Sequence, residues 1–179
     1  MSRYLLALLM CGASVAAHAA SCEVDRARAL ALDEQQFDQD MSGGWRALAD
    51  KPGCNLAAAD LLRDYRKAHG NEAGILYWHE GQLRAFAGQS AQAIVLMDKS
   101  HKPVAEDRAG WNPYVDATIA FLRKDRVALD KAHAALAAVA PPAGKDVPPV
   151  VNGMMEVSMA DGQTMKIRWP PNIDVVEGW

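Results

Sequence analysis

The chain has 179 residues, of which 50% are hydrophobic and 23% charged, with a formal net charge of −3. That is enough apolar material for one well-cored domain. A mildly acidic balance without a block of Lys and Arg argues against a nucleic-acid partner, whose phosphates demand clustered cations, and gives no reason to expect an anionic membrane surface.

Residues 1–19 read as a secretory signal peptide: Arg3 supplies the positive start, Tyr4 to Ala16 the apolar stretch and Ala17-His18-Ala19 the small-x-small cleavage pattern. The apolar run is too short to span about 30 Å of hydrocarbon and no second run follows, so no integral membrane segment is expected after cleavage. Cys11 follows Met10 where a lipidation site wants a small residue. Removing 19 residues, Arg3 among them, leaves 160 and takes the charge from −3 to −4. The mature chain is expected to be periplasmic or secreted.

Two cysteines then remain, Cys22 and Cys54. In an oxidising compartment two thiols tend to pair, and a Cys22–Cys54 disulfide is predicted. The 11 residues between Cys22 and Glu34 could extend about 36 Å, more than the roughly 22 Å length of the helix beside which they must return. A redox-active role would want Cys-x-x-Cys, which is absent.

Asp33-Glu34-Gln35-Gln36 has the form of a capping box. It opens a first helix that would present Phe37, Met41, Trp45 and Leu48 on one face, with a kink at Gly43-Gly44. Lys51-Pro52-Gly53 ends it, and Asn55 can cap a second helix running to His69, with Leu61, Leu62 and Tyr65 inward and Gly70 as terminator. Asn71 would cap helix three (72–87) and Ser90 helix four, which runs to His101. Asn112-Pro113 opens helix five (113–123) and Asp125 caps helix six, whose Ala128, Ala132, Leu136 and Val139 form a narrow seam ending before Pro141-Pro142.

Gly88 to Met97 and Arg123 to Ala132 look like one helical hairpin written twice, with Ala93 and Ala128 separated by 35 residues. From Gly74 to Pro141 the chain resembles the tetratricopeptide-repeat family, whose units of about 34 residues are antiparallel helix pairs. Tyr77, Gly81, Gly88, Ala93 and Met97 fall where that family favours an aromatic, two small residues, alanine and a large apolar group. Ala128, Ala132 and Ala135 suit the second unit, while Glu80 and Arg84 stand at positions usually apolar. The resemblance implies stacked helix pairs that present a surface to a partner. Trp45, Trp78 and Trp111 add a separate period of 33.

Residues 143–150 form a Gly/Pro-bearing linker, after which the period changes from helical to alternating. Met155, Val157 and Met159 alternate with polar residues, as do Met165, Ile167 and Trp169. A turn at Ala160-Asp161-Gly162 places Val157 opposite Met165, Met155 opposite Ile167 and Glu156 opposite Lys166. Because a lone hairpin is marginal in water, its apolar face should dock on the helices. The tail from Asn172 to Trp179 reads like the start of a helix.

Chemistry is sparse. His79-Glu80 lacks the second histidine of a zinc-protease motif, Leu83 standing in its place. His79 is expected to be a hydrogen-bonded interior or interfacial histidine. Glu80 and Arg84 are spaced for a surface ion pair, and Asp60, Arg63, Asp64, Arg66 and Lys67 for a solvated helix face. No catalytic residue, metal site or cofactor motif is assigned. The aromatic set Tyr77, Trp78, Trp111, Tyr114 and Phe121 either forms core between hairpins or, with Trp78, Gln82, Phe86, Ala117 and Phe121 lining one concave side, holds a peptide or partner helix.

The expected protein is thus mainly α: about six helices in antiparallel hairpins (20–142), a linker (143–150) and a C-terminal β-hairpin and tail (151–179). The function expected is an exported, non-enzymatic interaction module whose partner is another periplasmic or envelope protein or peptide. The alternative is a small hydrolase or ligand- or metal-binding domain using His79, Glu80 and His101.

Overall fold

A computed structural model describes residues 21–144, 147–158 and 162–179; the stretch 1–19 read as a signal peptide, Met159 and most of the predicted hairpin turn lie outside these. The chain is mainly helical with a small antiparallel sheet near its C-terminal end.

The first expected helix is broken into pieces. A short helix α1 (Arg26–Leu30), unforeseen, is capped by Asp25, whose carboxylate accepts from the Arg28 amide. Asp33 caps the next turn by accepting from the Gln36 amide at 2.8 Å, but that segment is a single π turn, Gln35–Gln39. The chain then reverses and re-enters a helix only at α2 (Arg46–Ala49). Gly44 is the cause. Its φ is +53°, and a Cβ there would fall on the Phe37 carbonyl group, so only glycine permits this return of the backbone. Phe37, Trp45 and Leu48 are all buried as expected, whereas Met41, on the excursion, is exposed.

Five longer helices follow: α3 (Asn55–His69), α4 (Gly74–Phe86), α5 (Ser90–Asp98), α6 (Trp111–Arg123) and α7 (Arg126–Ala137). Each packs against the next in the chain. Short loops and tight terminations after α3, α4 and α6 make this stacking possible. The amides of Asn71, Gln89 and Asp125 reach back to the carbonyls of Arg66, Arg84 and Ala120, the same six-residue closure at the ends of α3, α4 and α6. The last two closures are 36 residues apart, one more than the spacing of the two alanines. Gly81 lets α5 approach α4, because an added Cβ would meet Met97 and the Ala93 carbonyl oxygen.

Some caps differ from expectation. Asn55 opens α3 as its first residue, and Cys54 precedes it. Asn71, three residues before α4 begins, accepts from the Ala73 amide. The Asp107 carboxylate, not Asn112, caps α6 by accepting from the amides of Trp111 and Asn112 at 2.7 and 2.8 Å. Asn112 instead binds the Lys102 main chain twice, pinning the loop after α5. Asp125 caps α7 as read, accepting from the Ala128 amide.

Two apolar clusters result. The first gathers Phe37, Trp45, Leu48, Leu61, Leu62, Tyr65, Leu76 and Leu83. Phe37 stacks on Tyr65 at 3.7 Å. The Cys22–Cys54 disulfide is formed, with Cα atoms 5.4 Å apart, and ties the N-terminal leader to the start of α3. The second cluster joins Trp78, Met97, Tyr114, Val115, Leu129, Ala132 and Leu136.

Beyond the linker, β1 (Val150–Val151), β2 (Met154–Ser158) and β3 (Thr164–Arg168) form a sheet in the order β1-β2-β3. The register is as read: Val157 opposite Met165, Met155 opposite Ile167, Glu156 opposite Lys166. Strand β1 was not expected. The tail does form a short helix, α8 (Ile173–Glu177), which packs on α6 and α7 and buries Ile173 and Val176 in the second cluster. No helix among the described residues is long and apolar enough to cross a membrane.

Candidate partner-binding face

The residues read from the sequence as a groove divide into two groups. Trp78 and Ala117 are buried, 3% and 0% exposed, and belong to the second apolar cluster. Gln82 is half-buried, while Phe86 and Phe121 are exposed at 74% and 44%. The inner half of the set is therefore core, and the outer half, toward the C-terminal ends of α4 and α6, is surface. Helical spacing explains the division. Trp78, Gln82 and Phe86 lie at i, i+4 and i+8 on α4, so a single stripe leaves the contact with α6 as the helix runs outward.

Trp78 packs between Trp111 and Tyr114, with ring centroids at 4.9 and 5.1 Å. The Trp111 indole also donates to the Ser100 carbonyl at 2.8 Å, so this ring is positioned at both its face and its polar edge. The aromatic series continues beyond α6 through a residue that the sequence did not single out. Trp179 stacks on Phe121 at 4.8 Å and faces Tyr114 at 6.4 Å. The tail thus lies on the face expected to receive a partner. Tryptophan at the end of an alternating, then weakly helical, segment carries no periodic signal that would have placed it there.

Beside the Trp179 ring is a cavity of about 220 Å³ lined by Ala120, Phe121, Lys124, Asp125, Arg126 and Leu129. Of the charged groups at this apolar floor, Arg126 pairs with Asp130 at 2.9 Å and Asp125 caps α7.

The trio His79, Glu80 and His101 is not brought together. His79 Nδ1 lies 2.7 Å from Asp38 Oδ1. The same Asp38 oxygen accepts from the Trp45 indole at 2.8 Å, and Arg46 donates to the Asp38 main-chain oxygen. Burial pushes the Asp38 carboxyl upward, but hydrogen bonding and charge from His79, with Trp45 and Arg46, outweigh it and hold the group below the usual carboxylate range. Asp38 escaped the sequence reading because a lone acid in a polar turn has no motif; the π turn is what turns it inward.

Glu80 points elsewhere. It is 2% exposed and pairs with both Arg66 and Arg84; Arg84 also reaches Asp60 at 3.1 Å and Gln89 at 2.9 Å. This corrects two expectations: the Glu80–Arg84 pair is not on the surface, and Arg66 departs from its solvated helix face. Arg66 lies 3.8 Å over the Tyr77 ring as well. Two residues that sit where the repeat family favours apolar groups thus form an ionic lock between α3 and α4.

His101 is held by the Asp98 carbonyl at 2.7 Å and by Asp116 at 3.0 Å. Burial alone would lower its pKa, but these two partners raise it above the ordinary histidine value. With each member committed to different partners, the three do not share one site. Among the described residues no group of His, Cys, Asp and Glu could hold a metal ion.

Comparison with protein-family models, with curated proteins and with solved structures found no match. The functional reading rests on the residues themselves.

Proposed function

We propose that the protein is an exported, non-enzymatic interaction module of the bacterial cell envelope, periplasmic or secreted, whose tetratricopeptide-like helical hairpins bind a segment of another envelope protein. One observation carries this reading. The aromatic residues of α4 and α6 run from buried Trp78 outward to exposed Phe86 and Phe121, and Trp179 of the tail already stacks on Phe121. Large exposed aromatics beside a desolvated aromatic floor are the pattern of a binding hot spot. The signal-like leader and the disulfide support export.

The test is photo-crosslinking in an exporting bacterium, with benzoylphenylalanine placed at position 86, 121 or 95. Positions 86 and 121 are expected to give one common adduct and position 95, an exposed valine on α5, none. The adduct from position 86 should vanish when Phe121→Glu is added. Equal adducts from position 95, or none from 86 and 121, would overturn the proposal.

A further inference from the structure

The C-terminal arm, residues 150–179, is a unit with its own internal bonding. Its three strands pair with one another, and Arg168 at the end of β3 forms a two-pronged ion pair with Glu177 of α8. Among the described residues it attaches to the helices in two ways. Trp169 Nε1 donates to the Val139 carbonyl at 3.1 Å, and Ile173, Val176 and Trp179 enter the second apolar cluster. The segment 141–149 before it carries Pro141, Pro142, Pro148 and Pro149, stiff spacers rather than packed core.

What the arm places on α6 and α7 is a recognisable ligand. A branched aliphatic at one position, another three residues on and an aromatic three further make one apolar edge, and Asp174 and Glu177 stay outside. His133 of α7 adds to the effect of Arg168 in favouring the Glu177 carboxylate. The cavity beside Trp179, with Lys124 and Arg126 at its lining, is left unfilled.

We infer that the face formed by α6 and α7 is a groove for a short amphipathic helix with the pattern aliphatic-x-x-aliphatic-x-x-aromatic, and that the C-terminal arm is its built-in competitor. The inference rests on the interaction-module reading and extends it from the α4 and α6 face to the adjoining α6 and α7 face, which shares Phe121, by stating the chemistry of the partner there. A tethered occupant acts at an effective concentration of about the millimolar range. A free segment must therefore displace it, and the groove opens only to partners that bind better than the arm, for example by also filling the cavity.

The probe is a fluorescein-labelled peptide with the sequence of residues 171–179. It is titrated against the full chain and against the full-length Ile173→Asp/Val176→Asp variant, in which the arm loses its two buried aliphatic anchors while the residues of α6 and α7 are unchanged. The variant is expected to bind the peptide at least about 10-fold more tightly than the unaltered protein, and a peptide carrying Trp179→Ala should lose that binding. A variant with unchanged helix content that binds no more tightly than the unaltered protein, or that binds the Trp179→Ala peptide equally well, overturns the inference. Should the variant lose its helices, the unaltered protein decides. Millimolar peptide must then accelerate amide exchange across residues 173–179, and unchanged exchange overturns the inference. Common adducts at positions 86 and 121 without peptide binding would remove only the arm's role. Peptide binding without adducts would remove only the envelope partner.

Discussion

His79 on α4 and Asp38 in the N-terminal π turn are 41 residues apart in sequence and 2.7 Å apart in space, with the Asp38 side chain fully buried. Their bond, shared with the Trp45 indole, fastens the first turns of the domain to the helical stack. A buried carboxylate with such donors is costly to remove from one side only, because the donors are then left unsatisfied.

Asp38→Ala is expected to destabilise the fold by about 2–4 kcal/mol. Because the folded-state pKa of Asp38 is lowered, its contribution is fully present above the unfolded value, about pH 4, and is lost as pH falls through the folded one. Urea unfolding of the protein and of Asp38→Asn between pH 7 and pH 3 checks this. Their difference should shrink only below about pH 4; a gap constant to pH 3 contradicts the assignment.

Glu80→Ala leaves the buried Arg66 guanidinium without its carboxylate and Arg84 with Asp60 and Gln89 alone, and should cost about 3–5 kcal/mol. Arg126→Ala breaks an exposed pair with Asp130 at the same i, i+4 spacing and should cost under about 0.5 kcal/mol. Denaturant midpoints of the two variants measure the contrast directly, and comparable losses would mean that burial is not what matters at Glu80.

Replacing both Cys22 and Cys54 by alanine opens a loop with a sequence separation of 32. The chain-entropy model assigns such a closure about 3–4 kcal/mol. Unfolding of the double variant should match that of the reduced native protein, and a loss below about 1 kcal/mol would show that the denatured leader is already restrained.

Gly44→Ala sets a methyl group against the Phe37 carbonyl in a left-handed backbone and is expected to lose more than about 3 kcal/mol. Gly81→Ala meets mainly the flexible Met97 side chain, with the Ala93 carbonyl oxygen at 3.2 Å, and should lose about 1–3 kcal/mol. Thermal melts rank the pair; the reverse order would mean that the N-terminal turn relaxes freely.

The parts of the fold governed by short-range rules were legible in the sequence. Asp125 caps α7, Gly70 sits at the left-handed end of α3, and the alternation of Met155, Val157, Met165 and Ile167 sets a register that a one-residue slip would invert. The pairing of Cys22 with Cys54 followed from their number and the expected compartment. What was not legible depends on distant partners. Capping logic gave α6 to Asn112, but Asp107, four residues before the helix, won because its two oxygens serve two amides. Charge spacing made Glu80 and Arg84 a surface pair, since nothing local reveals that Arg66 from another helix completes a buried set. In the candidate face, Phe86 and Phe121 are exposed as the groove reading required, whereas Trp78 and Ala117 went to the core reading. Trp179 came to the face only through the tail's return along α6.

Helix α4 stands between the two apolar clusters: Leu76 and Leu83 belong to the first, Trp78 to the second, and Ile75 touches both. The N-terminal cluster is cross-linked by sulfur and by ions, the C-terminal one by packed rings and a docked tail. The two clusters are therefore expected to open as separate units with a shared wall and different opening free energies. Under gentle denaturation the later half would breathe first, leaving a disulfide-anchored remnant on which it can re-form.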